Sequence, residues 1–184
     1  MNSINQHPKP KFIYREAATT DAAHIAAIHA RNWQLYYRDI MREDYLAEKV
    51  ANERLAAWTE RLNQPSNGQQ ITLATTSDHI VGFACTFLNF DSQYGSLIDN
   101  LHVLPNWQGH GLGKNLMQQA AAWAKAQQAV PTIYLWVYAK NTAAYEFYKH
   151  IGGKKVSEKV HTNPDGSRAL AYRMSWTLED LVNY

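Results

Sequence analysis

Leu97-Ile98-Asp99-Asn100-Leu101-His102-Val103-Leu104-Pro105-Asn106-Trp107-Gln108-Gly109-His110-Gly111-Leu112-Gly113-Lys114 is the stretch whose reading decides the fold. Leu97 to Val103 alternates and is rich in β-formers, and Pro105 stops it. A short loop then delivers Gly109, Gly111 and Gly113, and a helical pattern begins at once. Leu112, Leu116, Met117, Ala120 and Trp123 share one face of that helix, which runs from about Gly111 to Gln127. Glycines where a strand hands over to a helix let the backbone approach a ligand closely. The first amides of the helix have no partner of their own, and they carry partial positive charge. The stretch therefore reads as a cradle for a phosphate.

Working outward, Phe12 to Glu16 predicts a first strand. Thr19 and Thr20 are candidate caps for a helix that carries Ala22, Ile25, Ala26, Ile28 and His29 on one face and ends near Asn32. Trp33 to Asp44 is aromatic and irregular, a loop or broken helix. Tyr45 to Leu62 is a second amphipathic helix, closed by Pro65, Asn67 and Gly68. Ile71 to Thr75 and Ile80 to Leu88 flank Ser77-Asp78-His79 as a hairpin. On the far side of the glycine helix, Thr132 to Val137 is a strand. Asn141 or Thr142 caps a helix to about Ile151, which Gly152-Gly153 stops. Lys155 to His161 and Ala169 to Trp176 are strands around the turn Asn163-Pro164-Asp165-Gly166, and Thr177 to Tyr184 is a tail with room for a last helical turn. No repeat or linker divides the chain. Hairpins at both ends and strand–helix–strand between them predict one α/β domain, residues 11–176, with a mixed sheet.

The bulk properties narrow the function. A chain of 184 residues, 46% of them apolar, suits one domain with a sizeable core. A formal charge of +2 with scattered basic residues argues against nucleic acid as a partner. The single cysteine, Cys85, excludes an internal disulfide and reads as a buried structural thiol in a reducing compartment. No apolar run is long enough to span a bilayer, and residues 1–10 have no apolar segment of the signal-peptide kind and read as a disordered lead. The cytoplasm is the expected location. No paired-cysteine or His-Glu-x-x-His pattern predicts a metal, and no Gly-x-Ser-x-Gly elbow predicts a serine hydrolase.

Spacing decides which phosphate the loop suits. A P-loop counted from Gly109 needs glycine where Lys114 stands, and the residue that follows, where the motif wants lysine, is Asn115. A dinucleotide loop needs its third glycine one residue later, and an acid about twenty residues on. That window, residues 122–130, contains no acid. The remaining pattern is Gln or Arg, two residues, Gly, one residue, then Gly or Ala, and Gln108, Gly111 and Gly113 match it. In this, the sequence resembles the GNAT superfamily of acyl-CoA N-acyltransferases. The resemblance covers nearly the whole chain. It extends to Val103-Leu104-Pro105 before the loop, to Asn141 with Ala143 to Lys149 and Gly152-Gly153, and to Trp33-Gln34-Leu35-Tyr36-Tyr37-Arg38-Asp39-Ile40. Gln108 stands where arginine is commoner, and Lys154 where an aromatic is.

The resemblance implies a single-domain α/β fold with a mixed, mostly antiparallel sheet of six to seven strands and about four helices. It implies acetyl-CoA as acyl donor and an amine as acceptor, with no metal, and leaves a homodimer open. The amides of Gln108, Gly109, His110, Gly111, Leu112, Gly113 and Lys114 would grip the coenzyme's diphosphate. The pantetheine arm would lie along Leu101 to Val103 like an added strand. The Leu101 N–H would point at the thioester oxygen, and Asn141 would bond the arm from the next strand's end. Tyr148 is the candidate general acid, with a phenol that stays protonated at neutral pH. Asp99, two residues before Leu101 and so expected on the same face, is the candidate base, through water; a paired surface carboxylate is the other reading. His102 is expected to face the opposite way. His110 lies over the phosphates or in solvent. Trp33, Tyr36, Tyr37 and Tyr94, with Phe90, line an amine pocket or belong to the core. The expected function is N-acetyl transfer from acetyl-CoA to a primary amine of a small molecule or peptide within a ternary complex. The alternative is a non-catalytic acyl-CoA-binding module on the same fold.

Overall fold

The computed structural model describes residues 10–77 and 79–184. Most of the expected lead, and Asp78 of the first hairpin turn, lie outside the described residues. Seven strands form one sheet: β1 (Ile13–Glu16), β2 (Gln69–Thr75), β3 (Ile80–Asp91), β4 (Gly95–Val103), β5 (Thr132–Tyr138), β6 (Lys154–Thr162) and β7 (Arg168–Thr177). Their spatial order is β1-β2-β3-β4-β5-β7-β6. The β4–β5 pair is parallel and the other pairs are antiparallel. Five α-helices accompany the sheet: α1 (Ala22–Tyr36), α2 (Val50–Asn63), α3 (Leu112–Ala126), α4 (Thr142–His150) and α5 (Leu178–Asn183). This is the expected mixed α/β domain with one more helix. That helix is the C-terminal tail, whose Leu178 and Leu181 are buried in the core beside α3.

The sheet is covered on both faces. Ile25, Ala26 and Ile28 of α1 and Trp58 of α2 pack on Ile71, Leu73, Phe83 and Cys85. On the opposite face Leu112 and Leu116 of α3 meet Ala74, Val81 and Ala84, while Met117, Ala120 and Ala121 meet Ile98, Ile133 and Leu135. Such burial at about 25 cal/mol per Å² of apolar surface is the main force holding the layers together.

Several local expectations shift. Thr19 and Thr20 do not cap α1; they lie in a 3-10 turn, and Asp21 accepts the Ala18 N–H at 2.8 Å while Arg15 holds both its carboxylate oxygens. Helix α1 runs on to Tyr36, so Trp33 and Tyr36 are helical, since nothing in Trp33-Gln34-Leu35 breaks the hydrogen-bond ladder. The second helix opens with a π-helical turn, Tyr45–Lys49, before α2 becomes regular. Asn141 does cap α4, its Oδ1 accepting the Ala144 N–H at 3.3 Å.

The irregularity that matters for function is in β4. Ile98 stands opposite Thr86 and Asn100 opposite Cys85, so Asp99 is the extra residue of a β-bulge. A bulge bends its strand and sharpens its twist. β4 and β5 pair only at Ser96–Ile133 and Leu97–Tyr134, and beyond the bulge no further pairing joins them. The sheet is therefore open at its centre, beside the start of α3.

Candidate functional site

The loop after β4 has the conformation its glycines suggested. Gly109 and Gly111 have φ of +79° and +78°, in the left-handed region, and Gly111 forms the N-cap of α3. A Cβ built on either would meet nothing within 4 Å, so the space in front of the turn is open. Gly113 serves differently: a Cβ there would lie 3.2 Å from the Phe147 ring, so glycine lets α3 and α4 approach. A cavity of about 670 Å³ begins at this turn and is lined by Gln108, Gly109, Gly111, Leu112, Gly113 and Lys114. It continues past Leu101, Val103 and Asn141 to Tyr148 at the open sheet. The fit to a diphosphate with an extended arm is good: exposed helix-start amides at one end, no side chain blocking the glycines, and along the way a strand edge that no other strand pairs, although its Val103 carbonyl accepts from Asn32 Nδ2 at 3.1 Å.

A second cavity, about 580 Å³, opens on the α1–α2 face of the same gap. Tyr37, Leu101, His102, Trp136 and Tyr148 line both cavities. The two spaces thus meet where β4 and β5 part. The Tyr148 side chain is buried, and burial pushes its phenol well above the ordinary tyrosine value, so it stays protonated and keeps an O–H to donate across the physiological range.

Asp99 does not share the face of Leu101. The bulge interrupts the alternation and turns both Asp99 and Asn100 toward α2, where Arg61 Nη1 donates to Asp99 Oδ2 at 2.8 Å and to Asn100 Oδ1 at 3.1 Å. Asp99 and His102 consequently line the same second cavity. The partner of Asp99 is an arginine from a helix, which strand alternation alone could not reveal.

His102 belongs to a buried polar cluster absent from the sequence-level picture. Its ring lies 4.5 Å from that of His29, and Asn32 Nδ2 approaches its Nδ1 at 3.4 Å. Trp58 Nε1 donates to His29 Nδ1 at 2.9 Å, which leaves the His29 proton on Nε2, without a partner among the described residues. Burial pushes His102 down to about 3, and burial with the neighbouring His102, Arg54 and Arg61 holds His29 well below its ordinary value. Both imidazoles are neutral at pH 7. The helical spacing of His29 and Asn32 on α1 was the available signal, but only packing against β4 gives it meaning.

The remaining site residues separate. Trp33, Tyr37 and Phe90 line the second cavity. Tyr36 does not; it lines the first, with its hydroxyl accepting from Gln108 Nε2 at 2.9 Å. Tyr94 lines neither cavity and instead lies under the Arg173 guanidinium, 3.8 Å from its ring centroid. The His110 side chain leaves the first cavity and turns toward Trp107 and Phe12. Lys114 Nζ reaches the Tyr184 main-chain oxygen at 3.3 Å beside the glycine turn. Asn141 spends its Oδ1 on the α4 cap, and its Nδ2 has no protein partner among the described residues. Unforeseen were Arg54, Arg61, Lys159 and Arg173, which all line the second cavity. Arg173 could have been suspected, as a lone cation in the apolar strand Ala169 to Trp176.

The sequence profile of the Acetyltransferase (GNAT) family matches residues 25–152. The chain belongs to the GNAT acetyltransferase family. Membership makes it an acyltransferase of the acetyl-CoA-dependent class and leaves the acceptor open. A mycothiol acetyltransferase of Streptomyces griseus subsp. griseus is 39% identical over 80 residues, 44% of this chain but only 25% of that relative. The probable N-acetyltransferase Rv2775 of Mycobacterium tuberculosis is 26% identical over 152 residues, 79% of this chain and 83% of its own. Among solved structures, a GCN5-related N-acetyltransferase from Rhodopseudomonas palustris superposes with a TM-score of 0.71 at 23% identity, covering 93% of this chain and 99% of that one. The structure of yncA from Salmonella typhimurium, solved with its cofactor acetyl-CoA, superposes with a TM-score of 0.66 at 18% identity, covering 91% of this chain and 94% of that one. These likenesses establish the fold of this GNAT member.

Proposed function

We propose that this GNAT protein is an N-acetyltransferase that moves the acetyl group of acetyl-CoA to a primary amine of a small molecule or peptide by direct attack in a ternary complex. The observation that carries the reading is the opening between β4 and β5, through which a glycine-turn cavity and a separate second cavity share Leu101, His102, Trp136 and Tyr148. Two substrates entering from opposite faces meet there without a covalent relay through the protein.

Each residue then has a task. The amides of Gln108 to Lys114 hold the diphosphate, and the free edge of β4 from Leu101 to Val103 pairs with the pantetheine arm. The Leu101 N–H stabilises negative charge on the thioester oxygen as the amine nitrogen bonds to the carbonyl carbon. Asn141 Nδ2 steadies the arm from the end of β5. As the carbon–sulfur bond breaks, the Tyr148 hydroxyl, as the candidate acid, donates a hydrogen bond to the sulfur, which leaves as the coenzyme thiolate. Asp99 takes the amine proton through water in the second cavity. His102 is too weak a base for that step, because it binds a proton only near pH 3. Cys85 carries no acyl group: it is buried, and burial pushes its thiol up to about 12.

The buried lone cysteine supports a reducing compartment, and we assign the cytoplasm. Among the described residues no helix is long and apolar enough to cross a membrane.

Release of free thiol from acetyl-CoA across a panel of amines tests the function. Tyr148→Phe is expected to lower kcat about a hundredfold while leaving KM for acetyl-CoA within a few-fold of the parent. An unchanged kcat removes Tyr148 from the acid role. Stabilisation by acetyl-CoA without turnover of any amine favours the acyl-CoA-binding module instead.

A further inference from the structure

The second cavity is walled by cations. Arg54, Arg61, Lys159 and Arg173 line it, against the carboxylates of Asp91 and Asp99. Several aromatic rings of this cavity that would otherwise attract a cationic substrate already lie under these side chains. Arg54 lies over Trp33 at 4.8 Å, Arg61 over Trp58 at 5.0 Å, and Arg173 over Tyr134 at 4.9 Å.

The positive charge is incompletely balanced: among the described residues Arg54 Nε and Arg173 Nε are both buried without a partner, and the looser ion pair is at Arg173. Asp99 serves Arg61, and Glu53 serves Arg54 at 2.7 Å. Among the described residues Arg173 has only Asp91 as an ion-pair partner, at a loose 3.5 Å, and Asp91 already accepts the N–H groups of Gln93 and Tyr94. The Arg173 side chain is 15% exposed, and its Nε is buried with no partner among the described residues. Lys159 makes no ion pair among the described residues. Both cations lean on Trp136, with Arg173 4.7 Å and Lys159 4.2 Å from its ring centroid. Desolvation and the neighbouring Arg173 lower the Lys159 affinity for its proton. Two like charges gathered on one indole, with an unsatisfied guanidinium donor between strands, form a half-made anion site. Trp136 also lines the coenzyme cavity, so the site adjoins the point of transfer.

We infer that the amine acceptor carries an anionic group, a carboxylate or a phosphate, which Arg173 and Lys159 bind beside Trp136 while its amine faces the opening between β4 and β5. The inference rests on the reading of the chain as an amine acetyltransferase and names its substrate class. A polyamine or an aminoglycoside, positive throughout, is disfavoured by the same charges.

Matched acceptors test it: amino acids against their carboxamides, O-phosphoethanolamine against ethanolamine, and spermidine as a purely cationic amine. The carboxylate and phosphate pairs separate the two sources of negative charge. The parent protein is expected to favour the anionic member of at least one pair by about tenfold or more in kcat/KM. That preference should fall about tenfold in Arg173→Gln and in Lys159→Gln, with KM for acetyl-CoA unmoved. Because Lys159 is exposed, its variant keeps the test valid if Arg173→Gln fails to fold. Preference for neutral or polycationic amines overturns the inference, as does a preference that neither variant changes. If no amine is turned over, the transferase reading fails and anion binding decides separately. With coenzyme A saturating, inorganic phosphate should raise the melting temperature of the parent above a sodium chloride control of equal ionic strength. Loss of that rise in the variants supports the anion site, and absence of it in the parent overturns it.

Discussion

At the residue scale, the chemistry of this protein is set by which polar groups burial leaves neutral. Tyr148, His29 and His102 all lie where charge is disfavoured, and each is held in its uncharged form. For Tyr148 the consequence is a donor that does not ionise as pH rises through the tyrosine range. For the histidines it is acid sensitivity. Their folded-state pKa values lie below the unfolded value near 6.5, so the unfolded chain binds more protons once the pH falls under that value. The stability they contribute is present above about pH 6.5 and is lost as the pH falls below it, down to about 3 for His102. Each histidine held neutral costs about 1.4 kcal/mol per pH unit in that window, or roughly 3–5 °C in melting temperature for a domain of this size. Melting curves at pH 7, 6 and 5 should show this slope, and His29→Gln should reduce it. A slope equal to that of the variant would mean that His29 is already protonated in the folded state.

At the element scale, two irregularities make the site. One is the left-handed turn at Gly109 and Gly111, the other the bulge at Asp99. Gly111→Ala keeps the fold but forces a Cβ onto a backbone with φ of +78°, at a cost of about 1–2 kcal/mol. The methyl group enters the open space before the amides rather than the protein, so coenzyme affinity should fall more than stability does. Calorimetric titration with coenzyme A alongside a melting curve separates the two losses; equal losses would place the turn outside the coenzyme site. The loop was legible in the sequence because glycine spacing is a local property of the backbone. The bulge was not. It arises from the register of β4 against β3, and alternation counted from Leu101 put Asp99 on the wrong face. Helix α1 was cut short at Asn32 for a related reason: Trp33, Tyr36 and Tyr37 carry no helix-breaking residue, and their aromatic character alone suggested a loop.

At the scale of the whole molecule, the two cavities meet where the sheet is open, and the proposed direct transfer requires donor and acceptor to occupy the protein together. Initial velocities with both substrates varied should give intersecting lines, and parallel lines would instead indicate an acyl-enzyme. Acetyl-CoA at a hundred times its Kd should stabilise the fold by about 2.7 kcal/mol, a rise of roughly 5–10 °C. An unmoved melting temperature would contradict the assignment of the glycine-turn cavity to the coenzyme.

The sequence by itself determined the order of strands and helices, the glycine turn at Gly109 to Gly113 and the GNAT resemblance, and it narrowed the cap of α4 to Asn141 or Thr142. All of these depend on residues near one another in the chain, where backbone geometry and hydrophobic periodicity act directly. Tertiary structure alone decided which groups share the reaction space. Arg61 reaches Asp99 from α2, Trp58 fixes the proton of His29 on α1, and Arg173 and Lys159 of β7 and β6 converge on Trp136 of β5. Those meetings depend on how far apart two strands stand and which helix covers them, and packing sets both between segments that the chain keeps distant.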